Sequence, residues 1–201
     1  MDGHGGVKVA EIVADHLNEE NEWGEEFTRL DEMCKGVEGG STVCGVKWDE
    51  EVIECVNLGD SRAVVVRGDG KVEQISKEVS VEEDRERIEK AGMKIVEGRV
   101  QRKEGESIAM SRAMGDWDYK KTEPKGIVAT PCVERVGRDR AEFIVVACDG
   151  IWDVMKNEEV GEFVKGFGGG VVECADALCR EAWKRGSEDN CSVVIVRFFL
   201  N

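Results

Sequence analysis

Phe143-Ile-Val-Val-Ala-Cys-Asp-Gly-Ile-Trp-Asp153 is the stretch on which the reading of this chain turns. Its first six residues are apolar and uncharged, which fits a strand covered on both faces and falls far short of a bilayer span. The run then stops in two acids, Asp149 and Asp153. A carboxylate at the mouth of an apolar strand loses hydration and needs a cation or hydrogen bonds in return. Near the end of the chain, Gly186-Ser-Glu-Asp-Asn190 leads into a second strand-like run over residues 192–199. If the two strands are antiparallel, Asp149 and Asp189 reach the same sheet edge. Hard oxygen ligands gathered in this way suit Mg2+ or Mn2+ better than zinc or copper.

Working outward, the opening Asp2-Gly-His-Gly-Gly6 combines a carboxylate, a titratable imidazole and three glycines that allow close backbone approach. Val9, Ala10, Val13, Ala14 and Leu17 follow at helical spacing, so a helix is expected over 7–17. A second is expected over 25–35, ended by Gly36. Residues 41–48, 52–57 and 61–67 are Val- and Ile-rich, with a Gly59-Asp60 turn, and read as an antiparallel meander. Ser80-Val-Glu-Glu83 fits a capping box for a helix reaching about Ala91. Short strands are expected at 93–96 and 107–110, an irregular stretch over 115–130, and helices over 157–164 and 171–184. Strands and helices in blocks indicate an α+β layered domain with mainly antiparallel sheets.

The chain has 201 residues, 41% of them hydrophobic, with no linker or internal repeat, so a single domain over 1–201 is expected. A net charge of −15 argues against nucleic acid or an anionic membrane as partner. The N-terminus has neither a basic region nor an apolar stretch, which places the expected location in cytoplasm or nucleus. Eight cysteines without a C-x-x-C pair read as reduced thiols, and with only His4 and His16 available zinc is disfavoured. A monomer is expected.

Six segments in order, Asp2-Gly-His-Gly-Gly6, Gly40-Ser-Thr42, Asn57-Leu-Gly-Asp-Ser-Arg-Ala63, Ser111-Arg-Ala-Met-Gly-Asp116, Ala147-Cys-Asp-Gly-Ile-Trp-Asp-Val154 and Gly186-Ser-Glu-Asp-Asn190, resemble the metal-dependent type 2C serine/threonine protein phosphatases. The resemblance implies an antiparallel β-sandwich flanked by helices in α-β-β-α layers, with a two-metal centre at one edge and phosphoproteins as substrates. It implies that Asp2 bridges two Mg2+ or Mn2+ ions, that Gly3 offers its carbonyl, that Asp149 and Asp189 hold the first ion, and that His4 is the general acid. Such cations supply hydroxide near neutral pH and neutralise phosphoryl charge, so no covalent enzyme intermediate is required.

Other matched segments are assigned structural roles: Gly59-Asp-Ser-Arg62 as turn scaffold, Arg112 in a buried salt bridge with a nearby acid, and Trp152 in core packing. Residues 117–130 fall where the family carries a variable flap that influences substrate choice. Where the family has a DHKP-like segment, this chain reads Ser76-Lys-Glu-Val-Ser80, so Glu78 with Asp153 forms at best a weakened third metal site. The family also places a strand pair before its DGHGG motif, carrying an arginine for the substrate phosphate and an acid for the second metal. Met1 directly precedes Asp2, so the domain is expected to be N-terminally incomplete, with weak second-metal binding and impaired turnover. Two rivals remain: a phosphoprotein-binding module without turnover, and a two-metal hydrolase of small phosphoesters.

Overall fold

A computed structural model describes residues 1–199 of the chain. Its elements begin with β1 (Gly3–His4), α1 (Lys8–His16), α2 (Trp23–Met33), β2 (Gly40–Ser41), β3 (Val43–Trp48), β4 (Val52–Leu58), β5 (Arg62–Arg67) and β6 (Val72–Gln74). They continue with α3 (Arg85–Lys90), β7 (Lys94–Val96), β8 (Arg99–Lys103), β9 (Glu106–Ile108) and β10 (Met114–Gly115). The last are β11 (Cys132–Gly137), β12 (Ala141–Ala147), α4 (Asp149–Trp152), α5 (Asn157–Gly166), α6 (Val171–Lys184) and β13 (Val193–Arg197). The chain divides into two compact units that interleave along the sequence, so no linker composition marks the division. Among the described residues no helix is long and apolar enough to cross a membrane.

The first unit comprises Met1–Val43, Leu58–Asp60 and Glu78–Cys132. Its helices form where the apolar residues recur at helical spacing: Val9 and Val13 of α1, and Phe27 and Leu30 of α2, are fully buried. β2 is the middle strand of a small antiparallel sheet, with β1 on one side and β10 on the other. A second sheet, β7-β8-β9, closes over Ile88 of α3 through Val100 and Ile108. The capping box is present: Ser80 N–H and Oγ both donate to Glu83 Oε2, and Glu83 N–H donates back to Ser80 Oγ. Strand β8 was not expected. Its sequence, Arg-Val-Gln-Arg-Lys, carries one apolar residue, Val100, and that one side chain is fully buried.

The second unit comprises Cys44–Asn57, Ser61–Lys77 and, for the described residues, 133–199. It holds a sheet ordered β11-β4-β3 and another ordered β13-β12-β5-β6. Ile53 and Cys55 of β4 pack with Ala63 and Val65 of β5 and Ile144 of β12 between the sheets. The opposite faces of the same strands, Val64, Val66, Phe143 and Val145, pack against Val160 and Leu178 of α5 and α6. Residues 143–147 are apolar throughout because β12 lies between β5 and β13 and is covered on both faces. Each fully buried Val or Ile here contributes roughly 1.5–3 kcal/mol.

This layering corrects the expected meander. β4 and β5 are consecutive in sequence but belong to different sheets, so the turn between them is a crossover and not a hairpin. A Gly-Asp turn serves either connection, and strands apolar on both faces give no alternation that would assign them to one sheet. β11 was also missed, since Cys-Val-Glu-Arg-Val-Gly has no buried residue to mark it.

Candidate active site

In the first unit, the short sheet aligns His4 with Gly40 and Gly40 with Gly115. The main chain of Asp2 is fixed beside it: Thr42 N–H donates to the Asp2 carbonyl at 2.9 Å, and Asp2 N–H donates to Thr42 Oγ1 at 3.1 Å. Asp116 follows β10 in the left-handed region, φ 50°, and its own N–H donates to the Gly39 carbonyl at 2.8 Å. In that position Asp116 Oδ2 stands 2.7 Å from His4 Nε2. The carboxylate is nearly buried and the imidazole about one-third exposed. Gly40 leaves the room for this pair, because a β-carbon there would collide with both Asp116 Oδ2 and His4 Nε2.

The electrostatics of this cluster are those of crowded carboxylates around one imidazole. Burial pulls the His4 pKa down, but the Asp116 hydrogen bond and the charges of Asp116, Asp60 and Asp2 outweigh it and hold the group above the ordinary histidine range. Asp60 is pushed up, first by burial and then by the neighbouring charges of Asp2 and Glu78. Mutually repelling carboxylates of this kind are what a hard divalent cation neutralises, so the chemistry of the donor set fits such a cation. A cavity of about 810 Å3 opens beside His4 and Asp116, walled by Lys35, Arg102, Trp117 and Lys121.

In the second unit, β12 and β13 pair antiparallel, with Ala147 opposite Val193. Cys148 N–H extends the ladder to the Ser192 carbonyl at 3.2 Å. The end of β12 and the approach to β13 therefore lie together. Gly150 touches the Asn190 carbonyl closely enough to exclude any β-carbon, and Ser187 Oγ donates to the Gly150 carbonyl at 2.7 Å. Asp149 opens α4 and is half-buried, whereas Asp189 is exposed and accepts from Asn190 N–H at 2.7 Å. Trp152 is buried and donates its indole N–H to the Ala147 carbonyl at 2.9 Å, fixing the turn that carries Asp149.

The sequence-predicted residues thus fall into two groups. Asp2, Gly3, His4 and Glu78 belong to the first unit, and Asp149, Asp153 and Asp189 to the second, where the first and last share one sheet edge. Asp153 caps the C-terminal end of α4 and is exposed. Arg112 pairs with Asp84, its Nε donating to Oδ2 at 3.0 Å, as the sequence reading expected. Two residues were passed over. Asp60, read as turn scaffold, stands within electrostatic reach of His4, Asp2 and Glu78. Asp116 ends the Ser111–Asp116 segment, and the sequence signal for its role is an acid directly after a glycine, where a left-handed turn can re-aim a side chain.

Comparison with known proteins places these residues in context. The protein phosphatase 2C family matches residues 1–191. Protein phosphatase 1B of Mus musculus is 35% identical over 98% of this chain and 60% of its own length. The probable protein phosphatase 2C 59 of Arabidopsis thaliana is 33% identical over 99% of this chain and 68% of its own length. The chain spans about half to three fifths of the length of the protein phosphatase 1B relatives it matches. The mouse alignment runs over 246 positions, so that relative carries internal segments with no counterpart here. Among solved structures, a phosphatase from a pathogenic strain of Toxoplasma gondii superimposes with a TM-score of 0.82 at 22% identity, covering 98% of this chain and 82% of that one. A C. elegans sex determining protein gives 0.75 at 25% identity, covering 96% and 54%.

Proposed function

This chain belongs to the protein phosphatase 2C family, and we propose that it hydrolyses phosphoserine and phosphothreonine on proteins with the help of bound Mg2+ or Mn2+. The observation that carries the reading is the His4–Asp116 pair at 2.7 Å, set among the carboxylates of Asp2 and Asp60. Asp2 and the Gly3 carbonyl in the first unit, and Asp149 and Asp189 in the second, are the groups we assign to the cations. Asp60 stands within electrostatic reach of both Asp2 and Glu78. Divalent cations, when bound, lower the pKa of a coordinated water and neutralise charge on the phosphoryl oxygens.

The departing serine or threonine oxygen needs a proton, and we assign His4 to give it. Its Nε2 is committed to Asp116 Oδ2, so the transferable proton is the one on Nδ1. Asp116 holds the ring in one orientation and keeps it protonated to higher pH than an isolated histidine. The cavity beside the pair has room for the peptide flanking the phosphorylated residue.

The test compares turnover of a phosphopeptide and of a nucleotide phosphodiester, each with Mn2+, with Mg2+ and in excess chelator. Phosphopeptide hydrolysis that needs the metal supports the proposal. Full activity in chelator rejects it, preference for the phosphodiester favours a small-molecule hydrolase, and phosphopeptide binding without turnover favours a binding module.

A further inference from the structure

Inside the first unit lies an ion pair that the proposed reaction does not use. Lys120, whose side chain is wholly buried, donates from Nζ to Asp31 Oδ1 at 2.6 Å and to the Ala113 carbonyl at 2.8 Å. Burial pulls the lysine's pKa down, opposed by the charge and hydrogen bond of Asp31. Buried ion pairs are weak sources of stability, because removing two charges from water offsets their attraction. Well-packed apolar side chains do as well or better, so this pair calls for another account.

Its position supplies one. Asp31 Oδ1 also accepts the Gly115 N–H at 2.9 Å, and the Asp31 carbonyl accepts the Trp117 indole N–H at 2.9 Å. Gly115 and Trp117 are the two chain neighbours of Asp116. One residue of α2 therefore grips the backbone before Asp116 and the side chain after it, while Lys120 ties the same carboxylate to the Ala113 carbonyl. Asp116 needs such support, since its φ of 50° lies in a region that residues other than glycine seldom occupy.

We infer that Asp31 and Lys120 are positioning residues: together they hold residues 113–120 so that the Asp116 carboxylate stays against His4. This rests on the reading of His4 as the proton donor, and it extends that site by a layer reaching into α2. Neither residue touches substrate; both act through Asp116.

The experiment replaces both charges at once. In Asp31→Asn with Lys120→Met, asparagine keeps an acceptor for Gly115 N–H and methionine fills the lysine stem. The variant should melt no lower than the parent, whereas phosphopeptide kcat should fall about tenfold or more with KM within about twofold. Asp31→Asn with Lys120→Gln restores a neutral hydrogen bond and should recover part of the lost turnover. A readout independent of turnover is the NMR signal of the imidazole proton shared with Asp116; with only His4 and His16 in the chain it is readily assigned. It should weaken or move in the Asn/Met variant. A folded Asn/Met variant with parental kcat and an unmoved His4 signal overturns the inference, as does a folded Asn/Gln variant with no recovery. Absence of phosphopeptide turnover in the parent would instead reject the functional reading, leaving the His4 signal to decide this one.

Discussion

Gly40 lies directly against Asp116, so close that a β-carbon on it would occupy the place of the carboxylate oxygen that bonds His4. The glycine is thus required by side-chain space and not by its backbone, which does not have a positive φ. Gly40→Ala should displace Asp116 from the imidazole while leaving the β2 ladder able to form. A misplacement of about 1 Å at a reacting centre costs on the order of 10²-fold in rate. Steady-state kinetics should therefore show a loss of that order in kcat, with the circular dichroism spectrum unchanged; a variant retaining full kcat would show that the pair is not part of the chemistry.

Asp116→Asn tests the carboxylate itself. Loss of its charge and its charge-assisted hydrogen bond leaves burial to act on His4 with less opposition, so the imidazole's pKa should fall. A general acid is lost as pH rises through its pKa, so the alkaline limb of the kcat–pH profile should move to lower pH. General acid catalysis contributes about 10²–10⁴-fold, and the loss at pH 8 should approach that range. A profile whose alkaline limb stays in place would assign that limb to another group.

Asp149→Asn and Asp189→Asn should each weaken Mn2+ binding and depress turnover severely. Both acids stand at the edge where β12 ends and β13 begins and neither is fully buried, so each variant should melt close to the parent temperature. Calorimetric titration with Mn2+ is the measurement. Parental affinity in both variants would place the cation elsewhere.

The parts of this arrangement legible in the sequence were those carried by local pattern. Helical spacing located α1, helices were expected where α5 and α6 lie, and the apolar run ending in Asp149 located a strand covered on both faces. That Asp149 and Asp189 share an edge followed from one assumption, antiparallel pairing, which the register of β12 and β13 bears out. What stayed hidden depends on contacts between segments distant in sequence. Asp116 lies 112 residues from His4, and its side chain is aimed by a left-handed φ that no periodicity encodes. Asp60 sits in a Gly-Asp turn, where an acid has a conformational reason to occur and so attracts no notice. Lys120 and Lys121 are adjacent and chemically identical in the sequence, yet Lys121 is exposed while Lys120 is buried on Asp31. β8 is mostly polar, and in β11 Glu134 and Arg135 interrupt the apolar Cys132, Val133 and Val136, so neither strand shows as an apolar run.

The last prediction concerns stability and acid, and it centres on Glu26. This residue of α2 is buried, and its carboxylate accepts from Arg29 Nη2 at 2.6 Å, Arg29 Nε at 3.0 Å, Asn18 N–H at 2.8 Å and Asn21 Nδ2 at 2.6 Å. The Arg29 hydrogen bonds, assisted by those from Asn21 and Asn18, overcome burial and lower its pKa from the ordinary 4.5 to about 2. Because the folded value is below the unfolded one, the stabilisation is present in full above the unfolded pKa and is lost as pH falls through the folded one. The window of loss therefore runs from about 4.5 down to about 2. Glu26→Gln keeps the shape but removes the charge and turns one acceptor into a donor facing Arg29 or a backbone N–H. At pH 7 it should destabilise the chain by about 1–3 kcal/mol. The variant has no carboxylate to protonate, so the gap between parent and variant should shrink steadily as pH is lowered across that window. Urea denaturation of both proteins at a series of pH values measures the gap directly. A difference that stays constant from pH 7 to pH 3 would mean that Glu26 stabilises α2 through shape and not through its charge.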